Sequence, residues 1–167
     1  MNSRPFYRRL QKGFSLVELM IVVAIIGIIA AIALPRLMEN IKLGRETAAI
    51  ESLRTIHGAQ ATFSSQHGRF AKLQELADEK LIDRSFAAGT AVNQYIYTDG
   101  IPEPKSTFCV QATRQDDGSA YRDFNVTEDG TVFARRSKTK TPLPYGEGTP
   151  HSQQDDAKSS TPEKPKS

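Results

Sequence analysis

The stretch that decides the fold is KGFSLVELMIVVAIIGIIAAIALPRLMENIK, residues 12–42. From Phe14 to Leu34 every residue is apolar or glycine except one serine and Glu18. A run of about 20 apolar residues is long enough to cross the hydrocarbon core of a bilayer as an α-helix. The run therefore predicts a membrane-spanning helix over 14–35 that carries one carboxylate near its beginning.

The positive charge of the chain is concentrated before this run. The formal net charge is +3, and the basic residues before residue 14 supply +4, which leaves 3 − 4 = −1 for the rest; they are Arg4, Arg8, Arg9 and Lys12. Basic flanks stay in the cytoplasm, so we expect a single-pass anchor with its N-terminus inside. The run is longer than that of a cleaved secretory signal, which favours a retained anchor. No basic surface for nucleic acid is predicted.

Beyond Pro35 the sequence predicts a small α+β head. Apolar residues at helical spacing extend the helix with one buried face, while Arg45, Glu46 and other charged residues are expected mostly elsewhere; that face comprises Ala49, Leu53, Ile56, Ala59 and Phe63. His67-Gly68 predicts the end of this helix, since glycine readily takes the left-handed conformation found there. A second, short helix is predicted over 73–81.

Four short segments with alternating polar and apolar residues predict an antiparallel β-meander over 94–100, 107–114, 121–127 and 131–135. One face of this sheet is expected to cover the apolar stripe of the helix; we assign to it Ile96, Phe108, Val110, Phe124 and Val126. From Ser137 the sequence has almost no apolar residues, which predicts a disordered tail. The expected organisation is thus residues 1–13, a membrane helix over 14–35, a head over 36–136 and a tail over 137–167.

The residues Lys12-Gly13-Phe14-Ser15-Leu16-Val17-Glu18 resemble the processing site of type IV prepilins and type II secretion pseudopilins. The resemblance implies that residues 1–13 are a cytoplasmic leader, cut after Gly13 by the membrane-embedded prepilin peptidase. It also implies methylation of the new amine of Phe14. Assembly would then place Glu18 against the amine of a neighbouring subunit.

Glu18, Gly27 and Pro35 each have a structural and a functional interpretation. A carboxylate in hydrocarbon is costly, so Glu18 either pairs with a cation or reaches the interface near the helix end. Gly27 belongs to a stripe of small residues that would let helices approach closely, although lipid contact explains the stripe nearly as well. Pro35 removes one backbone hydrogen bond and predicts a helix bend.

We interpret the chain as a structural subunit and not as an enzyme. The three histidines lack metal-ligand spacing, and neither a nucleophile elbow nor a phosphate-binding loop occurs in the sequence. No metal or other cofactor is predicted, and Cys109 is expected on the more polar face of its strand without a redox role. The expected partners are further copies of the chain, the prepilin peptidase, the inner membrane and a pilus or secretion assembly machinery.

The favoured function is a type IV pilus subunit, held in the bacterial inner membrane before assembly and in a cell-surface pilus afterwards. A pseudopilin in a periplasmic pseudopilus is the main alternative. A membrane-anchored binding module that never polymerises is a more distant one, and it would have no need of the Gly13–Phe14 site or of Glu18.

Overall fold

The computed structural model of the protein describes residues 14–101, 104–115, 122–136 and 141–151, so the expected leader lies outside the described residues. The chain divides into two compact units between Ile41 and Lys42. The elements are α1 (Leu16–His67), α2 (Leu73–Asp78), a 3-10 turn (Arg84–Phe86), β1 (Tyr95–Asp99), β2 (Cys109–Arg114), β3 (Arg122–Thr127), β4 (Val132–Arg136) and β5 (Thr149–Pro150).

The second unit is built on the later part of α1, as the sequence predicts. All five residues of the expected apolar stripe are buried, and Ile50 joins them. The helix ends at His67, and Gly68 follows with a positive φ of 69°, which confirms the predicted stop. The predicted short helix is also present as α2, and Leu73, Leu76 and Ala77 are its buried residues.

The five strands form one antiparallel sheet in the order β1-β2-β3-β4-β5, which confirms the predicted meander and adds a strand to it. Tyr97 lies opposite Ala112, which lies opposite Phe124. These side chains belong to the same apolar core as the stripe of α1. The observed architecture is therefore the expected α+β fold, with a helix covering one face of the sheet.

The face predicted for β1 is wrong by one residue. Tyr95 and Tyr97 are buried in the core, whereas Ile96 lies between them, opposite Thr113, and its side chain points away from the helix. Both faces of this strand carry apolar side chains, and the face with the two tyrosine rings buries the larger surface. Alternation alone could not decide between them, because a one-residue slip exchanges the two faces.

The other face of the sheet is covered by residues 141–151, which we call the strap. Leu143 in the strap is completely buried, and Thr149 and Pro150 pair with β4 as strand β5. The head therefore extends past residue 136, where the sequence placed the start of a disordered tail. This corrects the predicted boundary for the strap, while residues 137–140 and 152–167 lie outside the described residues.

Candidate assembly site

The candidate site begins at the first turn of α1. Phe14 precedes the helix with its side chain exposed, and the N–H of Leu19 donates to the carbonyl of Ser15 over 3.2 Å. Glu18 lies in this first turn and is exposed. A carboxylate near a helix N-terminus is stabilised by the unpaired backbone N–H groups there. Gly13 lies outside the described residues, so the structure does not give the geometry of the Gly13–Phe14 bond.

Within the described part of the chain, the apolar side chains around Glu18 are exposed. The large apolar side chains from Leu16 to Leu34 are between 44% and 73% exposed. By length and composition α1 contains a stretch that is able to cross a membrane, and none of that stretch is buried within the described chain. Exposed apolar patches of this extent mark contacts with membranes or other proteins.

Gly27 and Pro35 both lie within α1. A side chain added at Gly27 would meet no other heavy atom within 4 Å, so this glycine is not required by any contact among the described residues. The helix continues on both sides of Pro35 although proline supplies no N–H for the helical ladder. The bend at Pro35 stays a prediction, as does the close helix packing at Gly27.

A buried ion pair that the sequence pattern did not predict joins α1 to the sheet. The sequence suggested that Glu46 lies on the solvent side of the helix. The structure instead buries it, with 3% of the residue exposed. Its Oε2 atom lies 2.8 Å from Nη2 and accepts from Nε of Arg122 over 2.9 Å, and its Oε1 atom accepts from the backbone N–H of Arg122 over 3.0 Å. Glu46 lies three residues before Ala49, at the helical spacing of the apolar stripe, and this was the available signal, but its cationic partner is 76 residues away.

A second buried pair lies at the ends of β2 and β3. Nη1 of Arg114 is 3.6 Å from Oδ2 of Asp123, and the backbone N–H of Arg114 donates to Oδ1 over 3.2 Å. Burial raises the pKa of Asp123, although the hydrogen bond from Arg114 and the charges of Arg114 and Arg135 act in the opposite direction. Because both side chains are almost completely buried, the pair is not an accessible reactive site.

Cys109 lies opposite Thr127 on the face of the sheet that bears Gln111, as its predicted alternation requires. Its burial, and to a lesser extent the charge of Glu128, raise the pKa of the thiol to about 11. A buried thiol of this kind is protonated and unreactive at neutral pH. In the described ranges no group of three His, Cys, Asp or Glu side chains is arranged to hold a metal ion.

Comparison with known proteins concerns chiefly the N-terminal part of the chain. Residues 8–34 match the family model described as the prokaryotic N-terminal methylation motif. The chain is 43% identical over 60 residues to the type IV major pilin protein PilA of Myxococcus xanthus, which covers 36% of this chain and 27% of that protein. It is 44% identical over 68 residues to the fimbrial protein EcpB of Eikenella corrodens, and this match covers 35% of this chain and 43% of that protein.

A further relative is the type IV major pilin protein PilE1 of Neisseria gonorrhoeae, 41% identical over 61 residues, with 36% of this chain and 37% of that protein covered. The chain thus spans between 27% and 43% of the length of these three relatives. The matches confirm the resemblance that the N-terminal sequence indicates.

Proposed function

We propose that this chain is a structural subunit of a type IV pilus, because residues 8–34 match the prokaryotic N-terminal methylation motif and its N-terminal part is similar to type IV major pilins. It enters the inner membrane as a prepilin with residues 1–13 as its cytoplasmic leader. The prepilin peptidase cuts after Gly13, Phe14 is methylated, and the subunits polymerise through their N-terminal helices. The observation that carries the proposal is the exposed apolar surface of α1, with Glu18 in its first turn, inside the matched motif.

Glu18 requires a cationic partner that the described part of the chain does not provide. A carboxylate placed in hydrocarbon costs about 2.5–3.5 kcal/mol on insertion scales. Cleavage after Gly13 creates an amine at Phe14, one helical turn away along the chain. In a polymer the Glu18 carboxylate pairs with this amine on a neighbouring subunit, and this pairing distinguishes assembly from simple membrane anchoring.

The remaining parts of the chain take roles that follow from this assembly. Residues 14–35 form the membrane helix and then the fibre core, with Gly27 allowing close helix packing and Pro35 allowing a bend. The head begins at residue 36 and includes the strap. No enzymatic step and no cofactor is needed from the subunit itself, because cleavage and methylation are carried out on it by the peptidase.

The test is a comparison of membrane insertion with fibre formation in Glu18→Ala. The variant should insert at least as well as the wild type, since a costly charge is removed. Fibre yield should nevertheless fall strongly, because the incoming amine is left unpaired in a low-dielectric core, at about 3–5 kcal/mol per contact. Cells are fractionated into inner membrane and sheared surface material, and the subunit is quantified in each fraction.

Glu39→Ala is the matched control, since Glu39 is an exposed glutamate on the same helix beyond the apolar run. It should leave fibre yield near the wild-type value. Normal fibres from Glu18→Ala would overturn the assembly role, and finding residues 1–13 still attached to fibre protein by intact-mass analysis would overturn the processing. Electron microscopy of the sheared material distinguishes a surface pilus from the alternative, a pseudopilus of a secretion system.

A further inference from the structure

The strap is held on the sheet by two amide side chains. Nε2 of Gln111 donates to the carbonyl of Leu143 over 3.0 Å, and Nδ2 of Asn125 donates to the carbonyls of Leu143 and Pro144 over 3.1 and 2.7 Å. Gln111 and Asn125 are direct cross-strand neighbours on β2 and β3. This pair of adjacent side chains therefore holds the strap at Leu143 and Pro144.

The apolar contact of the strap is separate from the main core. Leu143 is completely buried, yet it does not belong to the continuous apolar cluster formed by α1, α2 and strands β1–β4. Its removal would leave that cluster intact. Contacts that form a separate cluster can be lost without the cooperative unfolding of the rest.

Further contacts of the strap are exposed to solvent, and they include hydrogen bonds from Nη2 of Arg135 to the carbonyls of Thr141 and Pro142 over 3.3 and 3.5 Å. Strand β5 pairs with β4 over only two residues, and one of them is Pro150, which has no N–H to donate. The hydroxyl of Tyr145 donates to Oε1 of Glu128 over 2.7 Å, and Nη1 of Arg135 donates to Oε2 of Glu147 over 3.1 Å. An exposed ion pair such as that of Arg135 with Glu147 contributes little to stability.

We propose that the strap opens as one unit while α1 and strands β1–β4 stay folded, and that opening uncovers Cys109 and the pairing edge of β4. A side chain built at Gly100 would lie 2.8 Å from Sγ of Cys109 and 3.0 Å from Nε2 of Gln111, so the thiol and the amide that holds the strap are neighbours. Tyr145 of the strap is near enough to Cys109 to interact with it electrostatically, so release of Leu143 and Pro144 from the amides draws strap residues away from the thiol. The open strap also frees Phe133 and Ala134 of β4 from their pairing with Pro150 and Thr149.

Alkylation of Cys109 measures this opening, because it is the single cysteine of the chain. The whole chain in detergent micelles is treated with iodoacetamide at increasing urea concentrations. Local opening exposes little surface, so the labelling rate at low urea should be almost independent of urea and should rise steeply only when global unfolding takes over. Leu143→Ala should raise the low-urea rate about tenfold or more.

Leu76→Ala is the matched control, since Leu76 is an equally buried leucine that belongs to the main core. Leu76→Ala should change the rate of Cys109 alkylation only at the urea concentrations where global unfolding controls it. A rate that follows the full urea dependence of global unfolding, or equal shifts in the two variants, would overturn the proposal. Hydrogen exchange of the wild-type chain gives a second measurement that requires no variant to fold. Strap amides should exchange together and faster than those of β2 and β3, and equal protection of all three would overturn the proposal.

Discussion

At the residue scale, Cys109 shows that the face a side chain takes and its burial are decided separately. Alternation along β2 places it on the more polar face, and the structure confirms that placement. The residue is nevertheless only 2% exposed. A polar sheet face is usually solvated, but here the strap and the turn at Gly100 cover it. Local pattern could therefore give the direction of the side chain but not its environment.

The raised pKa of Cys109 predicts a loss of stability at alkaline pH. The thiol holds its proton more firmly in the folded state than in the unfolded chain. Its contribution to the free energy of unfolding is therefore fully present below pH 9 and is lost as the pH rises through about 11. We expect the free energy of unfolding of the wild type to fall by about 2–3 kcal/mol relative to Cys109→Ala across this range. Titrating tyrosines are common to both proteins and cancel. Parallel stability curves, measured by urea unfolding from pH 8 to 11, would contradict the prediction.

At the scale of elements, Glu46 and Arg122 join α1 to β3. Glu46→Ala removes the buried carboxylate that accepts from the guanidinium and the backbone N–H of Arg122, so we expect a loss of about 3 kcal/mol in the free energy of unfolding. Glu51→Ala on the same helix is the control, because Glu51 pairs with Arg54 and both of these side chains are exposed. It should cost about 0.5 kcal/mol or less. Similar losses in urea unfolding for the two variants would show that burial does not distinguish the pairs.

The strap is the element that composition concealed. Its sequence, TPLPYGEGTPH, contains a single aliphatic side chain among polar, proline and glycine residues, which is typical of disordered segments. Its order depends on Leu143 finding a site on the sheet and on Gln111 and Asn125 pointing at its carbonyls. Those amides lie 18 and 32 residues away in sequence, so no local window could reveal the match.

At the scale of the whole molecule, two truncations test where the head ends. A chain that stops after His151 should keep the wild-type thermal midpoint, since the composition of residues 152–167 does not support burial. A chain that stops after Arg136 also loses the strap and the burial of Leu143, so we expect a loss of about 2 kcal/mol in the free energy of unfolding. Thermal and urea unfolding measure both. If the two chains proved equally stable, the strap would contribute nothing to the head.

The sequence by itself determined the parts of this protein that depend on local pattern. The membrane-length helix, the motif around Gly13 and Phe14, the unusual position of Glu18 and the four main strands are all encoded in contiguous residues. Periodicity and hydrophobic length act along the chain, so they can be read without knowing what any segment contacts. Gly27 and Pro35 are recognised in the same way, although their roles in assembly remain proposals.

Only the tertiary structure decided which side chains meet across the chain. It placed Tyr95 and Tyr97 in the core instead of Ile96, paired Glu46 with Arg122, and folded the strap over the sheet. Each of these outcomes depends on the fit between segments distant in sequence. The free energy of burial belongs to the pair of surfaces that come together and not to either segment alone, so no single stretch of sequence contains it.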